Sequence, residues 1–201
     1  AGADACLLVT PYYNRPTQEG LFRHFEAIAT ATSVPIVLYN VPPRTGCDMT
    51  AETVRRLASI QGVVGIKEAC GDAARVTQIL AAVSDQDAEN FFVLSGEDAQ
   101  TLQMMELGAV GTISVTANVL PAEMSAFCSA HLSGDLSRAQ ALDQQLQPVH
   151  DILFVESSPT PAKWALADMG RIPGGIRLPL IPLSLEHREA VRQRIRSAGN
   201  S

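Results

Sequence analysis

Two lysines are all that the 201 residues contain, beside one tryptophan and three tyrosines, so each of these side chains stands out against its background. Charge is scarce as well: 18% of residues carry one, and 21 acids against 15 bases leave a formal charge of −6. That sign opposes phosphate-backbone binding and speaks against nucleic acid as a partner. No apolar run is long enough to span a bilayer, and Ala1-Gly2-Ala3-Asp4 lacks the basic flank of a signal peptide; a cytoplasmic protein with no membrane partner is the expectation. Cys6, Cys47, Cys70 and Cys128 include no C-x-x-C pair, and no histidine stands at zinc-ligand spacing, so reduced packing residues and no metal are expected. His24, His131, His150 and His187 fall in helical stretches and read as surface or interface residues. What is present in quantity is apolar: 46% hydrophobic residues suffice for a buried core and exclude disorder as the default.

Five short apolar runs read as strands: Ala5 to Thr10, Pro35 to Tyr39, Val63 to Ile66, Phe91 to Leu94, and Val110 to Val115. They are nearly continuous rather than alternating, the pattern of parallel strands covered on both faces. Between them the period is helical. Leu21, Phe25 and Ile28 form one stripe after a cap at Thr17, Val54, Leu57 and Ala58 another after Thr50, and Val76, Ile79, Leu80 and Val83 a third after Asp72. The strand ends recur at roughly 20 to 30 residues, the size of one βα step in an eight-fold barrel, with a doubly wound sheet as the alternative. Gly2-Ala3 precedes the first strand as Gly108-Ala109 precedes the fifth, and the second pair follows a helical stretch; the chain is therefore read as beginning in mid-fold.

Beyond Gly134 the strand signal stops. Leu136, Ala139, Leu142, Leu146, Val149 and Leu153 form a helical stripe broken only by Pro148, Trp164 lies in a second helix after Pro159 and Pro161, and Leu185 to Ile195 suggests a third with an arginine-rich outer face. The expected organisation is barrel over residues 1–134 and a helical domain over 135–201, with Arg171 to Pro182 as an ordered loop between helices.

Lys67 ends the run Val63-Val64-Gly65-Ile66. Burying an ammonium costs several kcal/mol, roughly, and the usual escape is a depressed pKa that leaves a neutral, nucleophilic amine, the state that attack on a ketone requires. A lysine paired with Glu68, or one snorkelling out at the strand mouth, fits the same position equally well. Tyr12, Tyr13 and Tyr39 also fall at predicted strand ends, where parallel α/β folds bind ligands, so three phenols and one amine are expected to converge on one mouth. For each tyrosine alone, an amphipathic packing residue is the plainer reading. Arg44 follows the second strand and could clamp a carboxylate, or be an ordinary loop arginine. Ser95-Gly96-Glu97-Asp98 is a strand-to-helix turn without the spaced glycines of a phosphate cradle, and Cys47 and Cys70, near the same mouth, have no histidine close in sequence to activate them.

Taken together, Val9-Thr10-Pro11-Tyr12-Tyr13-Asn14, Tyr39-Asn40-Val41-Pro42-Pro43-Arg44-Thr45-Gly46 and Gly65-Ile66-Lys67-Glu68-Ala69 resemble the dihydrodipicolinate synthase family. Leu94-Ser95-Gly96-Glu97-Asp98, Gly111 to Asn118, and Phe154-Val155-Glu156 continue the likeness over essentially the whole chain. The lysine motif alone is shared across class I lyases; joined to Arg44-Thr45-Gly46 it is specific.

The resemblance implies a (β/α)8 barrel, here about strands four to eight, with a C-terminal helical domain, in a tetramer. It implies condensation of pyruvate with aspartate semialdehyde in lysine biosynthesis, without a cofactor beyond the imine that Lys67 makes with pyruvate. Tyr39 matches the proton-relaying tyrosine, Tyr13 the tyrosine lent across a subunit interface, and Tyr12 its neighbour near the feedback-lysine site. Arg44 matches the arginine that holds the aldehyde's carboxylate; Gly96 and Ile113 match positions lining the pyruvate pocket, Ile113 by shape and backbone contact. At about 30 residues per unit, some 90 residues of barrel, including a threonine pair of the proton relay, are expected to precede this segment. The rival readings are another class I lyase, such as N-acetylneuraminate lyase or a 2-keto-3-deoxy sugar acid aldolase, and an inactive scaffold or interaction fragment whose unpaired sheet edges invite partners.

Overall fold

The computed structural model describes residues 2–84 and 91–199. The expected domain ranges 1–134 and 135–201 therefore take in a few residues, 1, 85–90, 200 and 201, that lie outside the described ones. By compactness the chain divides into two units, Ala1–Ile113 and Ser114–Ser201. The strand-helix period instead assigns residues 114–134 to the barrel, because the helix there follows the last strand-like run in sequence; in space that helix packs on the next one in the second unit.

The first unit alternates strands and helices: β1 (Cys6–Val9), α1 (Gln18–Ala31), β2 (Ile36–Asn40), the short α2 (Pro42–Thr45), α3 (Ala51–Ala58), β3 (Val63–Glu68), α4 (Arg75–Ser84), β4 (Phe92–Ser95) and α5 (Thr101–Glu106). All strand pairs are parallel, in the order β1-β2-β3-β4. The helix starts follow the expected chemistry. Thr17 accepts a bond from the Gly20 amide at 3.2 Å, Thr50 one from Thr53 at 3.3 Å, and Asp72 one from Ala74 at 3.0 Å. Thr17 and Thr50 each occupy an amide that the first helical turn leaves unpaired, and Asp72 ties the turn that leads into α4.

Alternation along the strands separates two faces. Ile36, Leu38, Ile66 and Val93 on one face are fully buried, and so are Leu21, Phe25, Val54, Leu57, Val76 and Ile79 of the helices, where α3 packs on β3, α1 and α4. The other face carries Leu7, Val9, Val37, Tyr39, Gly65, Lys67, Phe92 and Leu94. Leu7 and Val9, in the edge strand, are 42% and 39% exposed there, so β1 is covered on one face only, against the expectation of cover on both. Gly65 is needed beneath Lys67: a Cβ would lie 2.5 Å from the Phe92 ring and 2.7 Å from its carbonyl oxygen.

The fifth expected strand is a correction. The segment at Val110 to Ile113 does run beside β4, with Val110 N donating to Val93 O, Ser95 N to Gly111 O and Ile113 N to Ser95 O. It closes only a single parallel bridge, Ser95 to Thr112, before the chain turns into a 3₁₀ turn at Thr116–Asn118. The apolar run Val110 to Val115 is thus split between ladder and turn.

The second unit holds α6 (Pro121–Leu132), α7 (Leu136–Ile152), α8 (Thr160–Asp168) and α9 (Leu185–Gly199). α7 runs through Pro148 instead of breaking, and its stripe buries Ala139, Leu146 and Val149 completely, with Leu153 just beyond. Asp135 caps it by accepting from Arg138 N. One histidine differs from its surface reading: His150 is buried, with Nδ1 2.8 Å from Thr116 Oγ1. No described helix is long and apolar enough to cross a membrane.

Candidate active site

Parallel register builds the site. Tyr39 pairs with Lys67 across β2 and β3, and Lys67 with Leu94 across β3 and β4, so phenol and amine leave neighbouring strands at one level and on one face. The Lys67 Nζ lies 4.3 Å from the centre of the Tyr39 ring. Burial holds the amine below the ordinary lysine range, and the Arg44 charge acts in the same direction, while Asp98 and Glu97 oppose them by favouring the ammonium. The Tyr39 phenol is pushed up, by burial first and by Glu97, with Arg44 acting against.

Glu68 is not the partner of Lys67. One residue along β3 it points to the opposite face, 1% exposed. Both of its carboxylate oxygens accept from Asn40 Nδ2, at 3.0 and 3.1 Å, and that amide also reaches Asp48 Oδ1 at 2.8 Å. Asn40 Oδ1 accepts from Met49 N at 3.0 Å, and Arg75 pairs with Asp48 at 3.0 Å. Burial pushes the Glu68 carboxyl up; the Asn40 bond and Arg75 only partly offset this. The network ties β2 to β3 at the level next to Tyr39 and Lys67, with the Asn40–Glu68 step in register.

Gly96 makes room for the lysine. Its amide donates to Glu68 O at 2.8 Å, so its Cα lies against the end of β3. A Cβ there would stand 2.8 Å from Ala69 Cβ, 2.9 Å from Lys67 Cε and 3.1 Å from Glu68 O. The turn behind it is tied by Ser95, whose hydroxyl donates to Glu97 O at 2.9 Å and accepts from Glu97 N at 3.1 Å. Glu97, half-buried, thereby faces the charges of Lys67 and Arg44; burial and Asp98 push its carboxyl up. Nothing in the sequence gives Glu97 this place: its turn resembles the family's and lacks the spaced glycines of a phosphate cradle, and only the fold brings the carboxylate to Lys67.

The Arg44-Thr45-Gly46 motif has a local reason. Thr45 is buried and anchors α2: its hydroxyl lies 3.2 Å from Val41 O, 3.0 Å from Cys47 O and 3.4 Å from the buried Thr10 hydroxyl. Gly46 stops the turn at φ 68°, a conformation that favours glycine. Arg44 is left exposed on a fixed pedestal, close enough to bias Lys67, Tyr39 and Glu97 electrostatically.

The expected convergence of three tyrosines is corrected. Tyr12 is 70% and Tyr13 93% exposed, and only Tyr39 meets Lys67. β1 ends at Val9, and Tyr13, four residues beyond it, sits at φ 71° in the left-handed region. Ile113 is held by its amide to Ser95 O at 3.0 Å, one residue from Gly96, and is partly exposed. The thiols are packing groups: burial raises Cys47, and burial with the nearby Glu68 charge pushes Cys70 up to about 11. Among the described residues no three His, Cys, Asp or Glu side chains are arranged to hold a metal ion.

An amine held below its usual pKa by burial, a phenol beside it, a fixed guanidinium and a slot cleared by glycine suit capture of a keto acid. A model of the Dihydrodipicolinate synthetase family matches residues 1–198. The 4-hydroxy-tetrahydrodipicolinate synthase of Pseudomonas savastanoi pv. phaseolicola is 54% identical over 199 residues, 99% of this chain and 67% of that protein. Its namesake from Pseudomonas aeruginosa is 52% identical over 198 residues, 98% of this chain and 66% of that one. Among solved structures, the chloride-inhibited dihydrodipicolinate synthase of Acinetobacter baumannii complexed with pyruvate gives a TM-score of 0.93 at 49% identity, covering 98% of this chain and 67% of that one. The Thermotoga maritima dihydrodipicolinate synthase gives 0.94 at 41%, with the same coverage. The chain spans about two thirds of the length of these relatives.

Proposed function

Because the chain belongs to the dihydrodipicolinate synthetase family, we propose that it carries the Schiff-base centre of a lyase that condenses pyruvate with aspartate semialdehyde to 4-hydroxy-tetrahydrodipicolinate, a step of lysine and diaminopimelate biosynthesis. Its parallel sheet is a portion of that family's (β/α)8 barrel. The observation that carries the proposal is the Lys67 amine, kept below its usual pKa by burial and seated 4.3 Å over the Tyr39 ring.

The neutral amine adds to the keto carbon of pyruvate, and the oxygen leaves as water while the nitrogen becomes an iminium. Tyr39 supplies and retrieves the protons of that exchange; its raised pKa keeps it protonated and able to donate. Loss of a methyl proton gives the enamine, whose carbon attacks the aldehyde. The substrate's own amine then displaces Lys67 from the imine, freeing the enzyme. Gly96 and Ile113 border the keto acid, and Arg44 takes the aldehyde's carboxylate in its two-pronged fork. Arg44 is also the feature that favours aspartate semialdehyde over the sugar-derived aldehydes of related class I lyases. Tyr13, 93% exposed at a left-handed turn, suits donation across a subunit interface in a homotetramer, with Tyr12 beside it near a feedback-lysine site.

Borohydride reduction in the presence of pyruvate tests the proposal. The expected result is a mass increment on the peptide bearing Lys67, absent in Lys67→Met. An increment on Lys163, or none, overturns the assignment.

A further inference from the structure

Within the second unit, α8, the loop after it and the start of α9 enclose a cavity of about 250 Å³. Trp164, Ile176 and Leu183 give it an apolar side, and Lys163 and Arg188 bring two cations to the wall. None of the described residues lining it is acidic. The contrast with the neighbouring arginine is informative. Arg192 is paired with Asp168 at 2.6 Å and with Glu189, and neither carboxylate lines the cavity. Arg188 is fixed in the wall: its Nε donates to Leu183 O at 3.0 Å and its guanidinium lies 5.9 Å from the centre of the Trp164 ring, so the bond to Leu183 uses one donor of the five in the fork. Two half-buried cations without a carboxylate in the wall, on a chain of formal charge −6, mark a place where an anion lowers the electrostatic cost.

We infer that this cavity is a binding site for a small organic dicarboxylate, separate from the Lys67 centre and independent of the condensation reading. One carboxylate takes the Arg188 fork, the other meets the Lys163 ammonium, and the short carbon chain lies on the indole of Trp164. A bare inorganic anion fills only the charged end and leaves the apolar side wet, which is why the site favours a dicarboxylate.

Trp164 is the sole tryptophan of the chain, so its fluorescence reports on this cavity and on the groove it shares with Asp168 and Arg192, which the Lys163 and Arg188 variants distinguish. The full chain is titrated with succinate, and with phosphate and chloride at matched ionic strength, with calorimetry as an independent readout. Saturable quenching or enhancement by succinate is expected, with Lys163→Met and Arg188→Met each weakening it by about tenfold or more, the loss of one charge-assisted contact. Lys67→Met leaves the titration unchanged. The inference is overturned by a signal that tracks ionic strength only, by phosphate binding as tightly as succinate, or by succinate binding that survives in both variants while thermal melts show them folded.

Discussion

Replacing Gly96 by alanine adds one carbon at a point where three neighbours already stand at or inside contact distance. The new Cβ would meet Ala69 Cβ at 2.8 Å, Lys67 Cε at 2.9 Å and Glu68 O at 3.1 Å. Ala69 is fully packed at 1% exposure and Glu68 O is backbone, accepting from Gly96 N itself, so neither has room to yield. Lys67 Cε is the far end of a flexible chain and moves first. The strain relieved in this way is about 1–3 kcal/mol, the usual cost of overpacking, and most of it is discharged by turning the amine off its seat over Tyr39. Displacement of a reacting group by about 1 Å costs roughly a hundredfold in rate. Gly96→Ala is therefore expected to lower the rate of borohydride-trapped imine formation with pyruvate by about that factor, while its melting temperature falls by only a few degrees, roughly, as about 1 kcal/mol dictates. Gly174→Ala, at a position with nothing within 4 Å of the added carbon, is the matched control. Trapping in Gly96→Ala within about twofold of the control, on the scale where tenfold is about 1.4 kcal/mol, would refute the claim that Gly96 sets the lysine's position.

The remaining outcomes follow from charge and hydrogen bonding. Glu97→Gln removes a carboxylate that favours the Lys67 ammonium, so the acid limb of the imine-formation rate against pH moves to lower pH; Arg44→Ala removes an opposing cation and moves it to higher pH. Shifts of the same sign in the two variants would contradict the placement of these charges. Asn40→Leu leaves the buried Glu68 carboxyl and Asp48 without their shared donor and is expected to cost about 2–4 kcal/mol in urea denaturation. Burial raises the Glu68 pKa in the folded chain, so between the ordinary glutamate value and that raised value the folded state holds a proton that the unfolded state has released. Stability contributed by this group is present below the window and lost as pH rises through it; Glu68→Gln flattens that fall, which denaturation at a series of pH values measures. Thr116→Val breaks the buried contact with His150 Nδ1 and is expected to cost about 1–3 kcal/mol by the same assay.

Much of this was legible in the sequence because it is local. Caps at Thr17 and Thr50 and the turn at Asp72 announce themselves by residue type and spacing, and the stripes they open are buried as their period requires. Lys67 was legible because it closes an apolar run where charge is costly. The tyrosines show where such reading stops. All three stand at strand ends in sequence, but a strand end names a level in the fold and not a direction, and Tyr12 and Tyr13, beyond the end of β1, are left exposed. Val110 to Val115 misled in the same way: apolar content predicts burial, whereas a strand also requires backbone partners over several residues, and only Thr112 forms the bridge.

Glu68 gives the sharpest case, because as the nearest carboxylate in sequence it was the natural ion-pair candidate for Lys67. The period of two in a strand makes immediate neighbours the worst candidates for contact and makes residues at one register level on adjacent strands the best. Lys67 accordingly meets Tyr39, and Glu68 meets Asn40, through two adjacent steps of the same ladder on opposite faces. One face then has an amine that burial holds below its usual pKa despite Glu97 and Asp98, which reactivity needs, while the other has a buried carboxyl hydrogen-bonded to Asn40, which holding the strands in register needs. Were Lys67 and Glu68 on one face, the carboxylate beside the amine would favour the ammonium and raise the lysine pKa. A single-residue slip of β3 against β2 would exchange the two roles, so the Asn40–Glu68 bonds that resist that slip maintain the chemistry on the far side of the sheet.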